Sequence, residues 1–223
     1  MYNFINDNRF AGIKPLEERA FLALATLHKE DEMRFIEQAY EENYLTTAES
    51  NVNEMEATIA KYMSVSGREK RAVAVVNGTS AIHLAIKLAA EKIYGSSTGI
   101  STPAGKGAGG SLYGKRVFVS DMTFDASVNP VLYEGGEPVF IDSEYETWNM
   151  NPEALRKAFS IYPDVKIVIF VHLYGVPGKI DECKKICKEY GALLIEDAAE
   201  SLGAFTTITD HPTVKRCLFL QVP

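Results

Sequence analysis

The strongest constraint on this chain is a series of short, mostly apolar runs that alternate with segments of helical spacing. Residues 72–76, 116–120, 138–141, 165–171 and 192–195 read as strands without polar alternation. A strand with one wet face alternates apolar and polar residues, whereas a continuously apolar one has both faces covered. Between these runs, Ile82, Ala85, Ile86, Ala89 and Ile93 fall on one helical face. A second helix is expected over 125–133. A third opens at Asn151-Pro152-Glu153, with Asn151 as N-cap and Pro152 in the first position. Ile180, Cys183, Ile186, Cys187 and Tyr190 mark a fourth, which Gly191 ends. Strands alternating with helices in this way predict an open, mostly parallel α/β sheet.

This α/β domain is expected over 71–205, with a Gly-, Ser- and Thr-rich insertion at 95–114. Residues 1–70 precede it as a helical segment, with helices predicted over 29–40 and 52–63. The formal net charge of −7 gives no basic footprint for nucleic acid. No apolar run reaches the ~18 residues of a membrane span, and residues 1–10 lack a secretory h-region. Three cysteines, Cys183, Cys187 and Cys217, without a C-x-x-C pair give neither a disulfide framework nor a zinc knuckle. Cys183 and Cys187 share a helix face and are expected to be buried, consistent with a reducing cytoplasm.

In parallel α/β sheets ligands bind beyond the carboxyl ends of the strands. Asn77-Gly78-Thr79-Ser80 follows the first predicted strand; Thr79 and Ser80 are expected to cap the next helix, whose N-terminus suits an anion such as phosphate. A plain N-cap is the alternative. The nucleotide motif G-x-G-x-x-G is absent here, and Gly105-Lys106 has Ile100 where a Walker loop needs glycine. Phe124, after the second strand, is either a platform for a flat ring or a core residue. His172, after the fourth, is either a ligand contact or a satisfied structural group. Glu196 and Asp197 close the last strand, with Glu200 three residues on. Buried acids there need a cation, a metal or a protonated heterocycle; a solvated strand end is the alternative.

Taken in order, Asn77-Gly-Thr-Ser-Ala81, Asp121-Met-Thr-Phe124, Gly136-Glu-Pro-Val-Phe-Ile-Asp142, His172-Leu-Tyr-Gly175 and Glu196-Asp-Ala-Ala-Glu-Ser-Leu-Gly203 resemble one family. It is the DegT/DnrJ/EryC1/StrS family of pyridoxal 5'-phosphate (PLP) aminotransferases, and the likeness runs from about residue 10 to 203. The resemblance implies an aspartate-aminotransferase-like (type I PLP) large domain. It implies that Gly78, Thr79 and Ser80 hold the cofactor phosphate, that Phe124 stacks on the pyridine ring and that Asp197 pairs with the ring nitrogen. Ala199 would leave room at the ring face, Glu200 would lie near the ring hydroxyl, and His28 and His172 would approach substrate. No metal is implied. The implied substrates are a keto nucleotide-sugar and an amino-acid donor, glutamate above others, in surface-polysaccharide or amino-sugar synthesis. The implied assembly is a cytoplasmic homodimer.

The family's Schiff-base lysine lies beyond the Asp197 segment. Only Lys215 follows Asp197, and Thr213-Val-Lys-Arg-Cys217 does not resemble the expected stretch. Residues 206–223 are therefore expected to be a tail unlike the family, and the catalytic lysine and C-terminal small domain to be missing. Such a chain is expected to be inactive alone and, with an open sheet edge, poorly soluble. A PLP-dependent sugar dehydratase, with histidine in place of that lysine, is an alternative within the family. A non-catalytic α/β domain with a metal at Glu196, Asp197 and Glu200 is an alternative outside it.

Overall fold

Every residue of the strand Ile167–Val171 is buried, so it needs cover on both faces. The structure, a computed structural model, describes residues 28–43, 50–64, 70–95, 110–208 and 211–216. In chain order the helices are α1 (Lys29–Glu41), α2 (Ser50–Met63), α3 (Gly78–Tyr94), α4 (Asn129–Tyr133), α5 (Pro152–Ile161) and α6 (Ile180–Glu189). The strands are β1 (Arg116–Ser120), β2 (Glu137–Ile141), β3 (Ile167–Val171), β4 (Leu193–Asp197), β5 (Phe205–Ile208) and β6 (His211–Arg216).

β1 to β4 form a parallel sheet of order β2-β1-β3-β4. The chain steps from β1 out to β2 and returns to β3 on the other side. Strand order therefore reverses between β1 and β3, where open α/β sheets bind ligands. The register sets Phe118 beside Val168 and Val168 beside Leu194. These residues and Phe170 face α5 and α6, in a core that includes Leu155, Phe159, Cys183 and Cys187. Val117, Val119, Ile167, Ile169 and Ile195 face the other way, against Ile82, Ala85, Ile86 and Ala89 of α3 and Val131 of α4. Both cysteines are free and buried, and burial pushes the Cys187 thiol up to about 12.

The chain divides into two compact units, Met1–Thr47 and Ala48–Pro223. In the first, α1 buries no residue, and Met33, Ile36 and Tyr40, its expected apolar face, are exposed. The second holds the sheet and an antiparallel pair, β5 with β6, over part of the expected tail. Most of the 95–114 insertion, residues 96–109, lies outside the described residues, as does Cys217. Among the described residues no helix is long and apolar enough to cross a membrane.

Two sequence expectations need correction. Residues 72–76 form no regular element and pair with no strand among the described residues, and Val73 and Val76 are 69% and 88% exposed. An apolar run becomes a strand only beside a backbone with free hydrogen-bonding groups, and here Ala74 N–H donates instead to Glu56 Oε1 at 2.7 Å. The helix expected over 125–133 is broken into a 3-10 turn, Asp125–Ser127, and α4. Pro130 causes the break: without an N–H, and with a ring that clashes one turn back, it fits only the first turn of a helix.

Ahead of β1, Gly110 lies so close to Glu134 that a Cβ there would stand 2.4 Å from the Glu134 backbone. The Glu134 carboxylate fixes this segment. It accepts from Ser111 N–H (2.7 Å) and Oγ (2.8 Å), and lies 2.6 Å from His83 Nε2 and 3.2 Å from Lys87 Nζ. Burial alone would raise its pKa, but these donors prevail and lower it to about 2. A depressed carboxylate pKa stabilises the fold above the ordinary value of 4.5 and loses that effect as pH falls towards 2. Glu134→Gln is therefore expected to cost about 1–3 kcal/mol at pH 7. In urea unfolding monitored by circular dichroism, its deficit against the parent should shrink as pH is lowered through that window.

Candidate functional site

α3 begins where the sequence places an anion site, but its cap differs from expectation. Asn77, in an extended conformation, accepts from Ser80 N–H through Oδ1 at 2.9 Å, so Asn77 is the N-cap rather than Thr79 or Ser80. An Asn here satisfies one of the helix's first donors. It leaves the Thr79 and Ser80 hydroxyls in the first turn, and Gly78 and Thr79 N–H without an intrahelical acceptor. Nothing lies within 4 Å of where a Cβ on Gly78 would be. α3 packs against β4 and the 125–127 turn, which sets this open N-terminus by the carboxyl ends of the strands.

Phe124 precedes that turn and its side chain stands out from the core, 77% exposed. The core reading of this residue is thereby removed. Ser127, at the turn's end, is wholly buried. Its Oγ donates to Asp197 Oδ2 at 2.6 Å, and Thr123 Oγ1 lies 2.8 Å from it. Asp197 ends β4 with the side-chain parity of Ile195, hence on the α3 face. Its other oxygen accepts from Ala199 N–H at 3.2 Å. Among the described residues no lysine, arginine or histidine pairs with Asp197. A buried carboxylate with only neutral donors suits a cationic ligand.

Glu196 has the opposite parity and the opposite fate. It points towards α6, where Lys184 Nζ lies 2.5 Å from Oε1 and His172 Nε2 3.2 Å from Oε2. Burial favours the neutral acid, but the His172 hydrogen bond and the Lys184 charge outweigh it and hold the pKa below the ordinary carboxylate range. His172 itself has a fully buried side chain beside Phe170. It braces the strand end behind the site, and the direct substrate contact expected of it is not what this burial allows. The acidic run thus does not converge: Glu196 turns away from Asp197, and Glu200 is engaged elsewhere. Among the described residues no cluster of three His, Cys, Asp or Glu side chains could hold a metal ion.

Ala199 and Glu200 are exposed beyond β4, above the buried Ala198. Glu200 Oε2 accepts from Tyr174 N–H at 2.8 Å. Tyr174 adopts a left-handed conformation (φ 55°) after β3, and Asn149 secures this turn. Asn149 Oδ1 accepts from Leu173 N–H at 2.7 Å, and its Nδ2 donates to Val176 O at 3.0 Å. Next to it, Gly175 (φ 78°) brings the backbone so close that a Cβ would lie 2.9 Å from Glu200 O. His28 caps α1 in the unit Met1–Thr47, exposed, with its N–H donating to Glu32 Oε1 at 2.9 Å. The sequence reading missed Ser127, Lys184 and Asn149. Each acts across a long sequence separation, and only the helical phase of Lys184, one residue past Cys183, hinted at a position near the sheet.

Two outcomes are expected from this geometry. Lys184→Met leaves Glu196 buried with a weaker partner and should cost about 1–3 kcal/mol in denaturant unfolding. In a Glu196→Gln background the same change should cost at least about 1 kcal/mol less, a coupling read from the double-mutant cycle. Gly175→Ala should cost about 1–2 kcal/mol through its left-handed backbone and the Glu200 carbonyl, read as a lower thermal midpoint.

Comparison with known proteins gives the family and the fold. The chain is 40% identical over 178 residues to EpsN of Bacillus subtilis, named as a pyridoxal phosphate-dependent aminotransferase, covering 77% of this chain and 39% of EpsN. It is 30% identical to the GDP-perosamine synthase of Caulobacter vibrioides, covering 78% of this chain and 40% of that one. The solved structure of DesI with its TDP-sugar product superposes with a TM-score of 0.62 at 26% identity, covering 84% of this chain and 40% of that one. The chain thus spans about two fifths of the length of the curated relatives it matches. The fold is that of the aspartate-aminotransferase-like PLP enzymes. The family model matches residues 26–213, and the chain belongs to the DegT/DnrJ/EryC1/StrS aminotransferase family.

Proposed function

We propose that this chain supplies the cofactor-binding part of a PLP-dependent aminotransferase that moves an amino group from an amino acid, glutamate above others, to a keto nucleotide-sugar. The observation that carries the reading is a meeting on one sheet face. An open helix N-terminus, an exposed aromatic ring and a buried carboxylate without a cation lie together there. They complement a phosphate, a flat ring and a protonatable ring nitrogen, so the donor set fits PLP. When bound, that cofactor serves as an electron sink for the amino-bearing carbon of the substrate.

The chain's residues divide the work. Gly78 and Thr79 N–H, with the Thr79 and Ser80 hydroxyls, hold the phosphate at the positive end of α3. Phe124 covers one ring face and excludes water from it. Asp197 holds a proton on the ring nitrogen, because an adjacent carboxylate favours the charged form of that base. Ala199 leaves space at the ring, and Glu200, fixed by Tyr174 N–H, borders the ring hydroxyl. His28 is assigned to substrate through the family resemblance alone. The cofactor-bearing lysine is assigned to no residue of this chain. A homodimer in the cytoplasm, acting in amino-sugar or surface-polysaccharide synthesis, belongs to the same reading.

The test is to add PLP to the purified chain and record absorbance before and after borohydride reduction, locating any adduct by mass spectrometry. Reversible binding without a single-lysine adduct is expected. Asp197→Asn should weaken that binding about tenfold or more, the effect of losing one charge-assisted hydrogen bond. A reduced adduct at one lysine would overturn the assignment of that residue. Absence of binding would overturn the reading itself.

A further inference from the structure

We infer that Ser127 is a positioning residue for Asp197, and that the hydroxyl chain Thr123–Ser127–Asp197 fixes the Phe124 ring and the Asp197 carboxylate as one unit. The inference rests on the PLP reading and adds to it the device that sets the spacing between the ring's face and its nitrogen partner.

The direction of the chain follows from chemistry. An ionised carboxylate only accepts hydrogen bonds, so the single hydrogen of the Ser127 hydroxyl goes to Asp197 Oδ2. At 2.6 Å this is a charge-assisted O–H···O bond, a strong class. The Ser127 oxygen then has only lone pairs to offer, so Thr123 Oγ1, 2.8 Å away, donates to it. A donated hydrogen makes the Ser127 hydroxyl more polar and strengthens its bond to the carboxylate. The Phe124 carbonyl, 3.1 Å from Thr123 Oγ1, is the competing acceptor.

Placement gives this chain its consequence. Ser127 follows β1 and Asp197 ends β4, two strands that are not neighbours because β3 lies between them. The bond therefore ties the ends of separate strands across the end of β3. Phe124 sits inside the tied segment, between Thr123 and Ser127. Its ring is 77% exposed and has few contacts of its own to fix it, so its position follows from the backbone of this turn. The turn's own backbone supplies two local bonds, Ser127 N–H to Phe124 O at 3.2 Å and Val128 N–H to Asp125 O at 3.0 Å, and neither reaches another strand. Without the Ser127 hydroxyl, Asp197 keeps one donor, Ala199 N–H at 3.2 Å. The carboxylate is then free to rotate, and the turn loses its anchor.

The experiment uses the full chain with pyridoxamine 5'-phosphate, which carries the same ring and phosphate and needs no lysine. Ser127→Ala, Ser127→Thr and Thr123→Val are compared with the parent by titration. The 15N shift of the bound ring nitrogen and the 13Cγ shift of Asp197 in ligand-free protein are measured alongside. Ser127→Ala is expected to weaken binding about tenfold, to move the 15N shift towards the unprotonated ring and to move the Asp197 13Cγ shift. Ser127→Thr, which keeps the hydroxyl, should restore all three. Thr123→Val, at a half-buried site, should move both shifts in the same direction but less. A Ser127→Ala protein with parental affinity and parental shifts would overturn the inference while leaving the PLP reading intact. If the parent itself fails to bind the probe, the PLP reading falls. The hydroxyl chain is then judged by the ligand-free 13Cγ shift, and no movement in either Ser127→Ala or Thr123→Val overturns it.

Discussion

The two-residue period of β4 governs this site. Glu196 and Asp197 are neighbours in sequence, yet the pleat sends them to opposite faces of the sheet. A slip of one residue would exchange them, placing the Lys184 partner on the ligand side and the ligand's carboxylate under α6. Apolar patterning alone resists such a slip poorly, because β3 and β4 are apolar on both faces. The polar partners supply the missing specificity. Lys184 and His172 meet a carboxylate only on the α6 side, and Ser127 meets one only on the α3 side. The register Phe170 to Glu196 and Val171 to Asp197 is the one arrangement that satisfies both.

Much of this fold is legible in the sequence because its cues are local. β1 coincides with the apolar run 116–120, and α5 begins on its Asn151 cap with Pro152 in the first position. The α3 stripe of Ile82, Ala85, Ile86 and Ala89 is buried as its spacing requires. The expectations fail where a distant group decides. Residues 72–76 have the composition of a strand, but strand formation needs a neighbour that no local pattern specifies. At 125–133 the deciding cue is local too: Pro130 outranks the apolar spacing.

The site shows the same division. Phe124 and Asp197 stand at or just past strand ends and Gly78 opens α3, places where topology makes a residue available to ligand, and the motif order points to them. Ser127 and Lys184 act only through contacts that span 70 and 12 residues, so a single sequence gives no means of pairing them with Asp197 and Glu196. His172 illustrates the cost of reading position alone. It stands at a strand end, but the parity it shares with Phe170 turns it to the α5 and α6 side, where it serves Glu196. Counting parity from the buried Val168 and Phe170 would have placed it there.

The contrast between the two acids explains why a ligand belongs at only one of them. Glu196 is neutralised within the protein: a lysine and a histidine approach its two oxygens, so its charge is met before any ligand arrives. Asp197 is buried to a similar degree, 8% exposed against 3%, but among the described residues it receives only a hydroxyl and an amide hydrogen. Neutral donors fix the position of a carboxylate without cancelling its charge, and a burial of this kind is tolerable chiefly where a cation completes it. The helix N-terminus nearby adds positive potential, yet its free donors point to where an anionic group would sit. Together these favour a ligand that is anionic at one end and cationic at a flat centre. That charge pattern follows from the sheet parity and one helix start, before any likeness to other proteins is considered.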